Sequence, residues 1–316
     1  PQTEVPFAEK DLYAENQKIG MTKIDKHINV PDNFFKDDNV LITGSTSGIG
    51  AEAAKHVAKN GGNVYLHGRN EERGQELEEK ITKEHRVSCE FIRADLSNMN
   101  EVRSIKKRLE DLDKLDYLIN NAGAFIQSDG YALSDLQETF VVNHMSHFLL
   151  TKDLLPLLRK SDNPRIVNTA SEAHRSIDDF NIPQDIRTKE NGWKAYCRSK
   201  ACNIMFTYKL REELDDIDSV SIHPGVIPGS GFMRNLPGPL DRLGSIANKI
   251  PFPGVDSKYK GAAMLMYGMT VDPDKSAYLS DFDAEEPSDV ADNEQNREDL
   301  WNFSMNELGV EGFSEV

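Results

Sequence analysis

Val40-Leu41-Ile42-Thr43-Gly44-Ser45-Thr46-Ser47-Gly48-Ile49-Gly50 is the stretch whose reading decides the fold. An apolar run breaks into a glycine-rich turn and continues as a helical pattern through Ala53, Ala54 and Val57, which reads as strand, phosphate loop, helix. Glycines let backbone approach a pyrophosphate closely, and the helix that follows offers free N–H groups and the positive end of its dipole. Gly44, Ser45, Thr46, Ser47, Gly48, Ile49 and Gly50 are therefore candidate dinucleotide contacts. Their spacing, Gly-x-x-x-Gly-x-Gly, departs from the commoner Gly-x-Gly-x-x-Gly. The bland alternative is a tight turn with no ligand.

Three more strands follow at βαβ spacing. Asn63-Val64-Tyr65-Leu66-His67 ends in Gly68-Arg69-Asn70, Ser88-Cys89-Glu90-Phe91-Ile92 leads to Asp95-Leu96, and Leu115-Asp116-Tyr117-Leu118-Ile119 leads to Asn120-Asn121-Ala122-Gly123. Strand and helix patterns alternate from Val40 to about Ser280, which predicts one α/β domain with a Rossmann-like, doubly wound parallel sheet over residues 40–316. In such a sheet the ligand lies outside the carboxyl ends of the strands. The end of the second strand faces the adenosine ribose, where an acidic residue accepts from a 2′-hydroxyl and an arginine pairs with a 2′-phosphate. Arg69 stands there with no acidic residue in the turn, so NADP(H), as NADPH, is expected in preference to NAD(H). The alternative is a solvated arginine at a helix start. Asp95, with Leu96, is positioned to accept from the adenine amine, and Asn121, Ala122 and Gly123 would line the cleft or serve as ordinary turn residues.

Ala195-Tyr196-Cys197-Arg198-Ser199-Lys200 carries the candidate chemistry. Positions i and i+4 share one helix face, so the Lys200 ammonium is expected beside the Tyr196 phenol, lowering its pKa from about 10 toward the working range of an acid/base catalyst. Alone, this spacing is common on ordinary helix surfaces. Its weight comes from the segments in order around it.

With Thr43 to Gly50, Asn120 to Gly123, Asn143, Ser171, Tyr196 and Lys200 in sequence, the chain resembles the short-chain dehydrogenase/reductase family. Within it, the chain is most similar to the retinol-dehydrogenase-like branch, through Val142-Asn143-His144, His147-Phe148-Leu149-Leu150-Thr151, Arg165-Ile166-Val167-Asn168, Ser171 with His174, and Ala195-Tyr196-Cys197. The resemblance implies that Tyr196 exchanges a proton with the substrate, that Lys200 lowers its pKa and holds the nicotinamide ribose, that Ser171 bonds the carbonyl oxygen, and that Asn143 supports a water-linked proton path. It further implies that Pro224, Gly225 and Val226, after His223, lie near the nicotinamide. There the chain departs, because Pro228-Gly229-Ser230 stands where a threonine is usual, with Ser230 as a substitute. Asn191-Gly192, Lys194-Ala195-Tyr196, Ser199-Lys200 and Cys202-Asn203 also resemble light-dependent protochlorophyllide reductase, a double-bond reductase of the same superfamily, although Val226 stands where that enzyme has a cysteine. A non-catalytic dinucleotide-sensing protein is the other alternative, and such proteins usually lack part of the Asn, Ser, Tyr, Lys set.

Composition sets the outer limits. A net charge of −16, from 53 acidic and 37 basic residues, argues against nucleic acid or anionic membranes as partners. Much of the acid falls in Asp281 to Asp299, read as solvated surface or as high-salt adaptation. Residues 1–39 read as a polar, irregular N-terminal extension, loosely docked and without a signal or membrane span, so a soluble, cytoplasmic enzyme is expected. Cys89, Cys197 and Cys202 lack metal spacing and suit a reducing compartment. No metal is expected, and His144 and His147 read as helix packing. The segment of about residues 226–260, with Phe232, Met233, Leu236, Leu240, Ile246, Ile250 and Phe252, is expected to cover a hydrophobic carbonyl or alcohol substrate. The resemblance implies a homo-oligomer formed through the Tyr196 helix and its neighbour.

Overall fold

The computed structural model describes residues 24, 25, 27–126, 131–133, 135–188, 191–227 and 257–313. Ser230 and the apolar residues from Phe232 to Phe252 lie outside them, as do residues 1–23. Ten strands form two sheets among the described residues: β1 Asn39–Ile42, β2 Asn63–Gly68, β3 Cys89–Arg93, β4 Tyr117–Asn120, β5 Tyr131–Ala132, β6 Leu136–Gln137, β7 Arg165–Thr169, β8 Asp218–His223, β9 Tyr278–Ser280 and β10 Asp283–Ala284. The main sheet has the order β10-β9-β8-β7-β4-β1-β2-β3, parallel except for β10, and β5 pairs with β6 as a separate hairpin. The predicted doubly wound sheet is present, with strand ends displaced by one or two residues.

Both faces of this sheet are covered by helices, which explains why β1 and β4 read as unbroken apolar runs rather than alternating ones. The longer helices are α1 Gly48–Lys59, α2 Glu71–His85, α3 Met99–Arg108, α4 Ser146–Leu158, α5 Gly192–Glu213, α6 Lys258–Thr270 and α7 Glu294–Leu308. A π-helical turn, Val141–Met145, leads into α4. The chain winds outward from β1 to β3 and then crosses back to β4. Strand direction of travel therefore reverses between β1 and β4, the switch point at which such sheets bind ligands.

Two expectations from the sequence need correction. Residues 24, 25 and 27–38 are not a loose tail: Ile24, Ile28 and Val30 are buried, Phe35 is fully buried with its ring edge-on to Tyr117 at 5.5 Å, and Asp25 pairs with Lys59 at 3.0 Å. Their burial was hidden by wide spacing among polar residues. Likewise the acidic C-terminal region is not simply solvated surface. Helix α7 buries Leu300, Trp301 and Phe303, and Trp301 packs against Phe148 of α4 at 5.0 Å and Phe313 at 4.5 Å. Many of the acids there hold bases, with Asp281 on Lys260, Asp283 on Lys275, Glu285 on Arg175 and Glu298 on Lys209. The helix that the resemblance assigns to self-association, α5, thus carries α7 of its own chain against Phe206, 6.1 Å from Trp301.

No helix among the described residues is long and apolar enough to cross a membrane.

Candidate active site

The switch point is built around Thr43. Its hydroxyl oxygen accepts from the backbone N–H groups of Asn121 and Ala122, each at 2.9 Å, while the Asn121 side chain donates to the Thr43 carbonyl at 2.8 Å. The ends of β1 and β4 are thereby locked side by side. Gly44 has φ +66°, and a Cβ there would lie 2.9 Å from the Ala122 Cα, so only glycine lets the loop pass so close to the β4 exit. A Cβ on Gly50 would meet the Asn121 side chain at 2.7 Å, which is why α1 can start against this turn. Helix α1 has neither a side-chain cap nor an acidic residue in its first turn. By contrast α2 has Glu71 and Glu72 in its first turn and the Asn70 side chain accepting from Arg73 N. The free amides and positive dipole end of α1 therefore face the loop unneutralised, as an anion site requires.

Not every loop residue faces that space. Ser45 is fully buried, and its hydroxyl accepts from His67 N at 2.9 Å, so its side chain secures the loop to β2. Leu96 is buried in the core and offers only backbone. Their side chains are structural anchors, so a cofactor contact from either residue would be made by its backbone. His67, absent from the candidate set, bridges two cofactor-loop exits: it accepts from Gly44 N at 3.3 Å and reaches the Ala94 carbonyl at 3.2 Å. A carbonyl only accepts, so Nε2 carries the proton and Nδ1 is the acceptor. Burial holds its pKa down to about 4, keeping this neutral form at working pH. Its position at the last residue before Gly68 was visible in the sequence, but its partners come from other strands.

Arg69 is largely exposed, with its guanidinium 3.8 Å from the Asp95 carboxylate, and Asp95 also accepts from Ser97 N and Oγ at 3.0 Å. A Cβ on the adjacent Gly68 would lie 2.6 Å from Thr46 Cγ2, so Thr46, Gly68, Arg69 and Asp95 form one corner at the ends of β2 and β3.

The chemistry gathers on the other side of the switch point. Tyr196 on α5 is half-buried and hydrogen-bonded by Ser171, with Phe125 edge-on at 5.9 Å and the exposed Trp193 stacked at 6.1 Å and 28°. Ser171 caps a short 3-10 turn by accepting from Ala173 N at 3.2 Å, which leaves its proton for the Tyr196 oxygen. His174 fixes that turn from behind, bonding the Ser171 carbonyl at 2.7 Å and accepting from Ser288 N at 3.1 Å. Asn143 is fully buried in the π-helical turn, accepting from Ala124 N at 2.7 Å and donating to the Ala124 carbonyl and to Ser199 Oγ. Lys200 donates to the Thr169 carbonyl at 2.9 Å, and a Cβ on Gly123 would lie 3.4 Å from its Nζ. Asn143, Ser171, Tyr196 and Lys200 are thus brought together with Gly123.

One electrostatic expectation is not met. Burial raises the Tyr196 pKa, and the influence opposing it is the Ser171 hydrogen bond. Lys200 is itself pushed down to about 8 by burial, with its Nζ 5.6 Å from the Tyr196 ring centre. The i,i+4 rule placed the two on one face but did not foresee that the ammonium would turn to the Thr169 carbonyl. His144 and His147 have separate partners, Ser304 Oγ at 2.9 Å for the former and Thr43 with Asn143 for the latter. After β8, Gly225 turns with φ +92° and leaves Val226 exposed, while Ile227 packs against Gly261 of α6.

Known proteins are similar to this chain. The short chain dehydrogenase family model matches residues 38–237. Mouse retinol dehydrogenase 12 is 32% identical over 286 residues, covering 86% of each chain. Chicken WW domain-containing oxidoreductase is 34% identical over 208 residues, 62% of this chain and 50% of that one, so the present chain spans about half its length. Among solved structures, an uncharacterised Mycobacterium paratuberculosis protein superimposes with a TM-score of 0.67 at 26% identity, covering 93% of this chain and 99% of that one. An Escherichia coli CFT073 chain solved with NADPH shares the fold, with a TM-score of 0.59 at 24% identity over 79% and 99% of the two chains. With the loop, the switch-point lock and the Asn, Ser, Tyr, Lys cluster all in place, the chain belongs to the short chain dehydrogenase family, in its retinol-dehydrogenase-like branch.

Proposed function

We propose that this oxidoreductase uses NADP(H) to interconvert a hydrophobic carbonyl compound and its alcohol, with Tyr196 exchanging the proton. The observation that carries the reading is the convergence at Gly123 of the Lys200 ammonium and the Asn143 side-chain oxygen, next to Tyr196 with its Ser171 hydrogen bond. The residues present fit a dinucleotide: a Cβ on Gly48 would meet nothing within 4 Å, so the loop opens there, and the α1 amides lie behind it. When bound, the nicotinamide supplies the hydride. The chain orients and protonates. Ser171 donates to the substrate oxygen, and Tyr196, kept protonated by burial, gives its proton as negative charge develops there. Lys200, close to Gly123, is placed to hold the ribose and to return a proton to the phenol. Reduction is the direction that NADPH use favours, because the phenol speeds both directions alike and the cofactor pool sets the balance.

NADP(H) preference rests on Arg69, with Thr46 and Gly68 in the same corner. Arg69→Gln should weaken NADPH by about tenfold, the lower end for a charge-assisted contact because the side chain is exposed, and leave NADH nearly unchanged. Titration of both cofactors into both proteins checks this, and an equal change for the two would remove Arg69 from the 2′-phosphate site.

A hydrophobic substrate is supported by Trp193 and Val226, 46% and 54% exposed, which stand at the α5 start and the β8 exit. Trp193→Ala should raise KM for bulky aromatic ketones roughly tenfold, as expected for losing one aromatic contact, and leave small aliphatic aldehydes unaffected. Equal effects on both classes would mean that Trp193 does not touch substrate. The whole reading is tested by a carbonyl panel with NADPH. Turnover confined to apolar carbonyls supports it, reduction of a conjugated double bond favours the double-bond reductase, and cofactor binding without turnover on any compound points to a dinucleotide sensor. A homo-oligomer and a cytoplasmic site of action belong to the same proposal; sedimentation of the purified chain tests the first.

A further inference from the structure

We propose that His147 is a positioning residue that ties the proton-transfer side of the site to the dinucleotide loop, holding Asn143 with one ring nitrogen and Thr43 with the other. The ring lies on the first turn of α4 and is 2% exposed. Its Nδ1 is 3.1 Å from the Asn143 carbonyl, and its Nε2 is 3.1 Å from Thr43 Oγ1. A carbonyl accepts only, so Nδ1 carries the proton; in the neutral ring Nε2 must then be an acceptor, and Thr43 donates to it. Burial is the chief cause that keeps this ring far below the usual histidine range, so the ring stays neutral at working pH and can keep one acceptor nitrogen.

The polarity determines what Thr43 can do. With its proton directed at His147, the Thr43 oxygen keeps its lone pairs for the Asn121 and Ala122 amides. A proton on Nε2 would deprive Thr43 of its acceptor in the ring and turn its hydroxyl to the Ile119 carbonyl at 3.2 Å. The chain of contacts thus runs from the Asn143 carbonyl through His147 and Thr43 to the turn that ends at Gly123, beside Lys200. It does not conduct protons onward, because beyond Thr43 there are only amide donors and one carbonyl. Its role is to fix distances. The π-helical turn frees the Asn143 backbone from regular helical geometry, so an added donor from the next turn of helix is what holds that carbonyl in place.

The inference rests on the proposed reaction for its rate arm only; cofactor affinity and ring tautomer are read without turnover. Asparagine places an amide near the position of Nδ1, and glutamine places one near Nε2. His147→Gln should therefore keep NADPH affinity by fluorescence titration and lose roughly three- to tenfold in kcat, the effect of one hydrogen bond. His147→Asn should do the reverse, keeping kcat and weakening NADPH by a similar factor. His147→Phe should lose both. Identical behaviour of the Gln and Asn variants, or lowered Tm in all three with unchanged kcat and NADPH affinity, would overturn the proposal. Nitrogen-15 NMR of histidine-labelled wild-type protein gives an arm that no folding defect can obscure: a neutral Nδ1–H tautomer for His147 is expected, and an Nε2–H tautomer would overturn it. A wild-type protein that binds NADPH yet reduces no carbonyl would fail the proposed function while leaving the affinity and tautomer arms to decide the role of His147.

Discussion

Tyr196→Phe should lower carbonyl reduction on the order of 10²–10⁴-fold while NADPH affinity stays within a few-fold of wild type. The substitution removes one hydroxyl, the proton donor, and leaves the ring between Phe125 and Trp193. Because burial holds the phenol protonated, the loss should appear in kcat across the whole neutral range rather than as a shifted pH optimum. Steady-state kinetics with a fluorescence titration of NADPH distinguish this from collapse of the site, in which affinity would fall too. Near-normal turnover would place the proton donor elsewhere.

The largest effect on stability is expected far from the chemistry. Trp301→Ala should destabilise the protein by about 3–5 kcal/mol, the range for truncating a large buried aromatic side chain. Trp301 is 4% exposed and contacts Phe148, Phe206 and Phe313, so the void opens between α7 and the helices that carry Asn143's neighbours and Tyr196. Thermal unfolding should show a drop of roughly 2–4 °C per kcal/mol in a domain of this size. An unchanged Tm would mean that the C-terminal helix is only loosely seated on α4 and α5.

That helix shows where the sequence was hard to read. The parallel sheet was legible because each strand is a short apolar run followed by a turn, and the Asn, Ser, Tyr, Lys cluster was legible because each residue lies in a distinctive local motif. Leu300, Trp301 and Phe303 sit among acidic residues whose charge dominated the local pattern, while the contacts that reveal their burial come from α4, about 150 residues away. Phe35 was obscured in the same way by Asp32, Asn33, Lys36 and Asp37. Within the site, spacing could place Tyr196 and Lys200 on one face but could not show that the Lys200 ammonium bonds the Thr169 carbonyl, since that oxygen belongs to strand β7. His67 and His147 escaped for a related reason: each acts through partners distant in sequence, and a single buried histidine reads as packing until both ring nitrogens are accounted for.

The central claim is that this chain aligns NADPH with an apolar carbonyl and that Tyr196 completes the reduction. Incubating wild type and Tyr196→Phe with a hydrophobic ketone and NADPH fully deuterated at the reactive nicotinamide carbon, then measuring the alcohol by mass spectrometry, tests it most directly. The account predicts an alcohol with one deuterium on its carbinol carbon from wild type, and almost none from the variant although it binds the cofactor. Unlabelled alcohol, equal label from both proteins, or no alcohol from any apolar ketone with cofactor bound to wild type would contradict it.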